Sequence, residues 1–467
     1  MKRNKLRSQK PYFAVLAMTM LLSFGLAAAL SHTRRTAAAQ ATTRPNVIFI
    51  VVDALRADHV SAYGYERPTT PHLDAFMDNG VRFTEATTPS SWTLPSNVGM
   101  LTGRMPQRVR MNDWGSFSAF VPPEEILLGQ AMKNGGYRTA GFVNNYYLDQ
   151  IFGFARGYDH YQRLADSERA ADLNRMVFDW LDANDPASGN QPLFLFVYYY
   201  DPHSWYDPPP PYDTLYDSNY NGPLTPEVYQ HGQPVVAGDL IPSERDIEHL
   251  VALYDGEITY WDFHLNQFFN RLAAEGLLNN ALVVLTSDHG QMFGEHGKWV
   301  HRNSLYEEVL RVPMFIRYPG VAPAGMVVDT PVFTADLMPT ILDLVGLPIP
   351  GGLDGRSLRP FLQGQPGALL DRPIFAEMEG EPSPSSPGYW IAPRHDLRSI
   401  KKDGWKYIKE LNNPAGDALY QVQADSVYEG ANLLGDYPQM GQQLHDELFD
   451  WFRLPTDFLF MPSVRYR

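Results

Sequence analysis

Runs of apolar residues divide this chain into recognisable pieces. Asn46–Val52 (NVIFIVV) is apolar after its first residue and shows no polar alternation. A continuous β-branched run of this kind predicts a strand buried on both faces, as in a parallel sheet. Residues 193–200 (LFLFVYYY), 281–286 (ALVVLT) and 312–317 (VPMFIR) repeat the pattern. Segments of helical character lie between and around them, at 70–80, 95–103, 124–135, 167–184, 244–275 and 335–345. Strands alternating with helices predict an α/β fold with a mostly parallel, mixed sheet flanked by helices. After about residue 350 the texture changes. Residues 373–378, 397–401 and 404–409 read as short strands and 437–453 as an amphipathic helix, which predicts a small C-terminal α+β subdomain. Residues 202–243, rich in Pro, Tyr, Asp and Asn, read as a long surface excursion, and such loops often carry function.

The N-terminus has a different pattern. Lys2, Arg3, Lys5, Arg7 and Lys10 precede an uncharged, mostly apolar run from Tyr12 to Leu30, followed by Ala37, Ala38 and Ala39. At about 1.5 Å per helical residue the run is long enough to span a bilayer. The basic flank would stay on the cytoplasmic side. The segment therefore reads as a cleaved export signal or an uncleaved single-pass membrane anchor, and the rest of the chain as secreted or otherwise extracytoplasmic. The expected division is 1–44 (signal or anchor plus linker), 45–350 (catalytic α/β domain) and 351–467 (C-terminal subdomain).

Composition narrows the chemistry. With 44% hydrophobic and 19% charged residues the chain is globular. Residues 1–44 hold eight Lys/Arg and no Asp/Glu, so the remainder carries a net charge of −23. That argues against a nucleic-acid partner. The absence of cysteine excludes disulfides, thiolate metal sites and thiol nucleophiles.

Three predicted strands end in candidate ligands: Asp53, Asp201-Pro-His203, and Ser287-Asp288-His289. Open α/β sheets bind ligands outside the carboxyl ends of their strands. Carboxylates and imidazole suit a hard or borderline cation, and His203 is placed to donate a proton. His289, His296 and His301 fall within thirteen residues, in a Gly-rich stretch. In the segment from Ser90 to Arg104, Pro95 predicts a helix start, which puts Thr93 at a helix N-terminus. That position favours an oxyanion; it equally suits Thr93 or Ser96 as a helix cap.

Six segments together resemble the sulfatase family of the alkaline phosphatase superfamily: Pro45 to His59 with Tyr63-Gly64; Thr70 to Asp74; Thr93 to Arg104; Asp201 to His203; Ser287 to Gly297; and Leu305 to Pro313. The resemblance covers residues 45 to about 455. It implies a metal site with an oxygen nucleophile that attacks sulfur or phosphorus. By position Asp53, Asp288 and His289 match metal ligands, with Thr93 Oγ as a further one. His203 matches the histidine near the leaving group, and His301 falls where many members have an anion-binding lysine.

The departures carry information. Sulfatases proper convert a Cys or Ser to formylglycine, whereas this chain has Thr93, in the sequence T-L-P-S-N. Threonine cannot become formylglycine because its β-carbon bears a methyl group. The motif arginine is Asn97, the usual Gly-Lys-x-His stretch is replaced around Asn144 and Asn145, and His289 stands where calcium-binding members have Asn. A nitrogen ligand shifts the expected divalent metal from Ca²⁺ toward Mn²⁺ or Zn²⁺. The expectation is a metal-dependent hydrolase of anionic small-molecule or glycan esters, sulfate- or phosphate-type. Thr93, His203 and His301 are its catalytic residues, and Asn97 and Lys298 bind the anion. An envelope phosphoryl-group transferase and a non-catalytic protein of the same fold are the alternatives. Trp205, in the long excursion, is placed to stack on a sugar or aryl group.

Overall fold

The structure is a computed structural model that describes residues 44–109, 120–188, 191–229, 233–365, 367–379, 396–422 and 429–453. The chain separates into two compact units, Met1–Arg44 and Pro45–Arg467. The basic flank, the apolar run and Ala37–Ala39 lie outside the described residues. Among the described residues no helix is long and apolar enough to cross a membrane.

The larger unit is built on a nine-stranded mixed sheet. Its strands are β1 (Asn46–Val52), β2 (Val81–Thr87), β3 (Arg138–Val143), β4 (His160–Arg163), β5 (Leu193–Tyr199), β6 (Ala281–Ser287), β9 (Arg311–Arg317), β10 (Met326–Val328) and β11 (Val332–Phe333). The order is β10-β2-β9-β6-β1-β5-β3-β4, with β11 also on β2. Pairing is parallel except for β9, which runs against both β2 and β6. Strand β1 is central and hydrogen-bonds to β5 and β6 on its two sides. Its apolar run is explained by burial on both faces: Val47, Phe49 and Val51 join one core, Ile48, Ile50 and Val52 the other.

Among the described residues the α-helices of seven residues or more are α1 (Pro71–Met77), α2 (Thr93–Thr102), α3 (Leu128–Asn134), α4 (Ala170–Asn184), α5 (Glu244–Ala274), α6 (Leu337–Leu344) and α7 (Pro438–Phe452). Helix α5 starts at a capping box in which Ser243 and Asp246 bond each other's backbone amides. A four-stranded antiparallel sheet, β12 (Ile374–Met378), β13 (Leu397–Lys402), β14 (Trp405–Glu410) and β15 (Ala418–Gln421), forms the C-terminal subdomain with α7. A two-stranded ribbon, β7 (Met292–Phe293) and β8 (Trp299–Val300), follows β6.

Two readings of the sequence need correction. The helix expected to start near Pro95 begins two residues earlier, at Thr93, with Trp92 as its extended N-cap and no side-chain cap from Thr93 or Ser96. The 202–243 excursion is not purely a surface loop. It buries Tyr206, Leu224 and Tyr229 in the second core, while Trp205 is 51% exposed.

Candidate active site

The site sits where the carboxyl ends of β1 and β6 come level, since Val52 pairs with Ser287. The next residues, Asp53 after β1 and Asp288-His289 after β6, therefore meet at one point, and all three are fully buried. Their ligand atoms lie within 4.8 Å of one another. His289 Nδ1 donates to the Gly290 carbonyl at 2.9 Å, and Nε2 faces the two carboxylates. That nitrogen is 3.5 Å from Asp53 Oδ1 and 3.7 Å from Asp288 Oδ2. Thr93, at the first turn of α2, brings Oγ1 to 3.3 Å from the same nitrogen.

Polar neighbours hold the two carboxylates. Asp53 Oδ2 accepts from Asn145 Nδ2 at 2.7 Å. Asp288 Oδ2 accepts from Tyr198 OH at 2.7 Å and Asn97 Nδ2 at 3.2 Å, and Oδ1 from the His289 amide at 2.9 Å. Asp53 Oδ1 is buried with no hydrogen-bond partner. Burial, and next the Asp288 carboxylate, push Asp53 well above the usual carboxylate range. Two carboxylates crowded in a dry site beside an imidazole nitrogen, with one oxygen orphaned, are what a divalent cation would compensate. The donor set of two carboxylates, one imidazole and one hydroxyl fits such an ion.

His203 and His301 close the other side. The His301 ring centroid lies 4.4 Å from that of His289 and 5.0 Å from that of His203. Each of these rings has its Nδ1 anchored: His203 donates to the Ser204 carbonyl at 2.9 Å, His301 to Gln291 Oε1 at 2.7 Å. Gln291 in turn donates to Tyr206 OH, which ties the long excursion to the site. Beside His203, burial raises Asp201 to about 6, and burial with Asp201 raises Glu257 well above its ordinary range.

Asp53, Thr93, Asn97, Asp288, His289, His203 and His301 thus converge. Asn97 spends its amide donors on Asp288 and on the Thr93 carbonyl, 2.8 Å away. Lys298 is half-buried beside β8, and no contact ties its side chain to the cluster among the described residues. His296 stands apart, stacked on Tyr306. Asn145 was visible only as a departure from a motif, and Tyr198 and Gln291 gave no signal. Tyr198 reads as core in an apolar strand, although its hydroxyl is the closest donor to Asp288.

Comparison with known proteins identifies the family. The sulfatase family model matches residues 45–347, and the model for the C-terminal region of N-sulphoglucosamine sulphohydrolase matches residues 294–452. An ulvan-active sulfatase of Formosa agariphila is 26% identical over 90% of this chain and 83% of its own. An arylsulfatase of Clostridium perfringens is 27% identical over 68% of this chain and 79% of its own. Among solved structures, a phosphonate monoester hydrolase of Agrobacterium radiobacter superimposes with a TM-score of 0.70 at 22% identity, covering 88% of this chain and 95% of that one. A protein solved with its substrate D-glucosamine-2-N,6-O-disulfate gives 0.73 at 20% identity, covering 89% and 99%. The chain belongs to the sulfatase family, and with it to the hydrolases of sulfuric- and phosphoric-type esters.

Proposed function

We propose that this protein is an exported, metal-dependent hydrolase of sulfate or phosphate monoesters that works through Thr93 instead of formylglycine. The observation that carries the reading is Thr93 Oγ1 held 3.3 Å from His289 Nε2, beside the paired Asp53 and Asp288 carboxylates. Asp53, Asp288, His289 and Thr93 would hold a divalent ion, with Mn²⁺ or Zn²⁺ favoured by the imidazole. When bound, such an ion supplies positive charge for the anionic ester and favours the ionised hydroxyl.

The chain's own residues account for the rest. Helix α2 presents Thr93 at its N-terminus, where partial positive charge favours the alkoxide. Thr93 gives up its hydroxyl proton to solvent, and its Oγ attacks sulfur or phosphorus in line. The bond from that atom to the ester oxygen breaks, and its electron pair leaves on the alcohol oxygen. His203, with Nδ1–H fixed on Ser204, delivers the proton from Nε2 to that oxygen. Water then attacks the same sulfur or phosphorus, the Thr93 ester bond breaks, and Thr93 regains its proton. His301, locked by Gln291, and Lys298 on the same loop supply charge toward the bound anion, and Asn97 keeps Asp288 in place.

Sulfated glycans are the favoured substrate class. The relatives include proteins named for ulvan and for N-acetylglucosamine-6-O-sulfate, and Trp205 stands exposed on the excursion tied to the site. The test is a panel of aryl sulfate, aryl phosphate and phosphodiester substrates with Mn²⁺, Zn²⁺ or Ca²⁺. Activity that survives Thr93→Ala would refute the nucleophile.

A further inference from the structure

Outside this site, among the described residues, a second group of three ligand-type side chains lies within 4.8 Å: His296, Glu308 and Glu429. We infer that these three form a second divalent-cation site, of the zinc class, which pins the His301-bearing loop to the segment that follows the C-terminal sheet. The inference does not depend on the substrate or nucleophile proposed above.

Glu308 is the key residue. It is 1% exposed, and both of its carboxylate oxygens are buried without a hydrogen-bond partner. Its Oε1 lies 3.3 Å from His296 Nε2. Ligands about 2.0–2.1 Å from a tetrahedral zinc are separated by roughly 3.3–3.4 Å, so this pair already has the spacing of two zinc ligands. Glu429, also fully buried, is oriented by the Glu307 amide at 3.0 and 3.1 Å and by Lys406 Nζ at 2.6 Å. Hydrogen-bonded carboxylates of this kind are typical of metal ligands, whose outer partners fix their direction. The His296 ring is fixed as well. It stacks on Tyr306 with centroids 3.8 Å apart, and its backbone holds the left-handed φ of 53° that a non-glycine residue adopts only when its surroundings impose it.

Charge accounting favours a cation. Glu85, Glu307, Glu308 and Glu429 are buried together with Lys401, Lys406 and Arg311. The nearby Arg56 is already committed to Asp58 and Glu295. One carboxylate, Glu308, is left uncompensated. A buried carboxylate must be neutralised by a proton or by a cation. Two further ligand groups at coordinating distance point to the cation. Lys406 opposes it electrostatically, but Glu307 shares that lysine's charge at 2.8 Å.

The full-length protein tests this after chelator treatment and titration with Zn²⁺ alone. Bound metal is counted by mass spectrometry and calorimetry. Wild type is expected to bind one equivalent more than Glu308→Gln or His296→Gln, and Asp288→Asn is expected to retain that equivalent. The Zn²⁺-induced rise in Tm should be smaller in Glu308→Gln than in wild type. Zinc K-edge absorption of the Asp288→Asn protein should show one imidazole with oxygen ligands, which covers the case in which the Glu308 and His296 variants fail to fold. Equal stoichiometry in wild type and Glu308→Gln, or a wild-type protein whose bound zinc is wholly lost in Asp288→Asn, would overturn the inference and leave Glu308 as a buried neutral acid.

Discussion

Replacing Lys406 by Met tests what joins the C-terminal sheet to the catalytic body. Lys406 is 1% exposed, with Nζ 2.8 Å from Glu307 Oε1 and 2.6 Å from Glu429 Oε1. Its neighbour Lys401 bonds Glu307 Oε2 at 2.8 Å and Glu85 Oε2 at 2.6 Å, and Glu85 also meets Arg311 at 3.1 Å. Burial alone would raise Glu307, but the two lysines hold it well below its ordinary range. Methionine keeps the unbranched stem and most of its volume, so the substitution removes the charge with little cavity. Glu307 keeps Lys401, but Glu429 loses its lysine and keeps the Glu307 amide. Stranding a buried charge in this way costs about 3–5 kcal/mol. Lys401→Met strands no acid, because Arg311 still faces Glu85 and Lys406 still faces Glu307, and it should cost about 1–3 kcal/mol, nearer an ordinary lost charged hydrogen bond. With an unfolding entropy of about 1 kcal/mol/K for a chain of this size, Lys406→Met should lower Tm by about 3–5 °C. Urea unfolding followed by tryptophan fluorescence, with unchanged m, gives the free energies. If Lys401→Met costs as much as Lys406→Met, or neither exceeds about 1 kcal/mol, this account of the network is wrong.

Other consequences can be checked in the same way. Thr93→Ser should keep measurable turnover while Thr93→Ala falls to background, read as kcat/KM on an aryl ester. Chelation should abolish turnover and lower Tm, and readdition of metal at about 100 times its Kd should restore roughly 2.7 kcal/mol of stability, seen by calorimetry. Burial raises Asp262 from 3.8 to about 7 against the His72 and Leu73 amides it accepts from, so between about pH 4 and 7 the folded state holds a proton that the unfolded chain has lost. Stability from this group is present below pH 4 and falls by about 4 kcal/mol as pH rises to 7, so Asp262→Asn should flatten Tm against pH over that window. Gly290→Ala would drive a Cβ into the Glu308 carbonyl, while the Gly290 amide is bonded to Val309 at 2.9 Å, so the variant should lose activity and stability together in paired kinetic and thermal assays.

The strands and helices that lined up with the sequence were those with an unbroken apolar run or a long amphipathic stripe. Strand β1, β5, β6 and β9 each carry such a run, and α4, α5 and α7 end within three residues of their expected limits. Strand β2 (VRFTEAT) escaped notice because Arg82, Thr84 and Glu85 interrupt its apolar pattern, and Glu85 is buried only because Arg311 and Lys401 lie across from it. Strand β3 (RTAGFV) carries Gly141, where any Cβ would meet the Tyr161 ring, a close approach no sequence pattern shows. Helix α3 covers only Leu128–Asn134 of the expected 124–135, because the Glu125 amide closes a turn onto the Pro122 carbonyl and Leu127 is extended. In the site, residues at strand ends were legible because a chemical group after an apolar run is conspicuous. Asn145, Tyr198 and Gln291 were not, since each acts through a partner more than fifty residues away or on the far side of a turn.

The acidic character of the body bears directly on how the site takes its substrate. Residues 45–467 carry −23, and Asp53 and Asp288 add two carboxylates at the point where a sulfate or phosphate oxygen must come. Neither the overall field nor the bare site attracts an anion. The nearest imidazoles, His203 and His301, each have Nδ1 bonded, to the Ser204 carbonyl and to Gln291 Oε1. On the reading proposed above, the Thr93 ester would have no adjacent hydroxyl from which the sulfate or phosphate can be eliminated. The second half-reaction must therefore bring a water molecule up to an anion in an acidic cavity. Both demands, capture of the anion and attack on it, require positive charge within a few ångströms of Thr93. Asp53, with one buried oxygen unbonded and its acidity suppressed by burial, marks where that charge belongs.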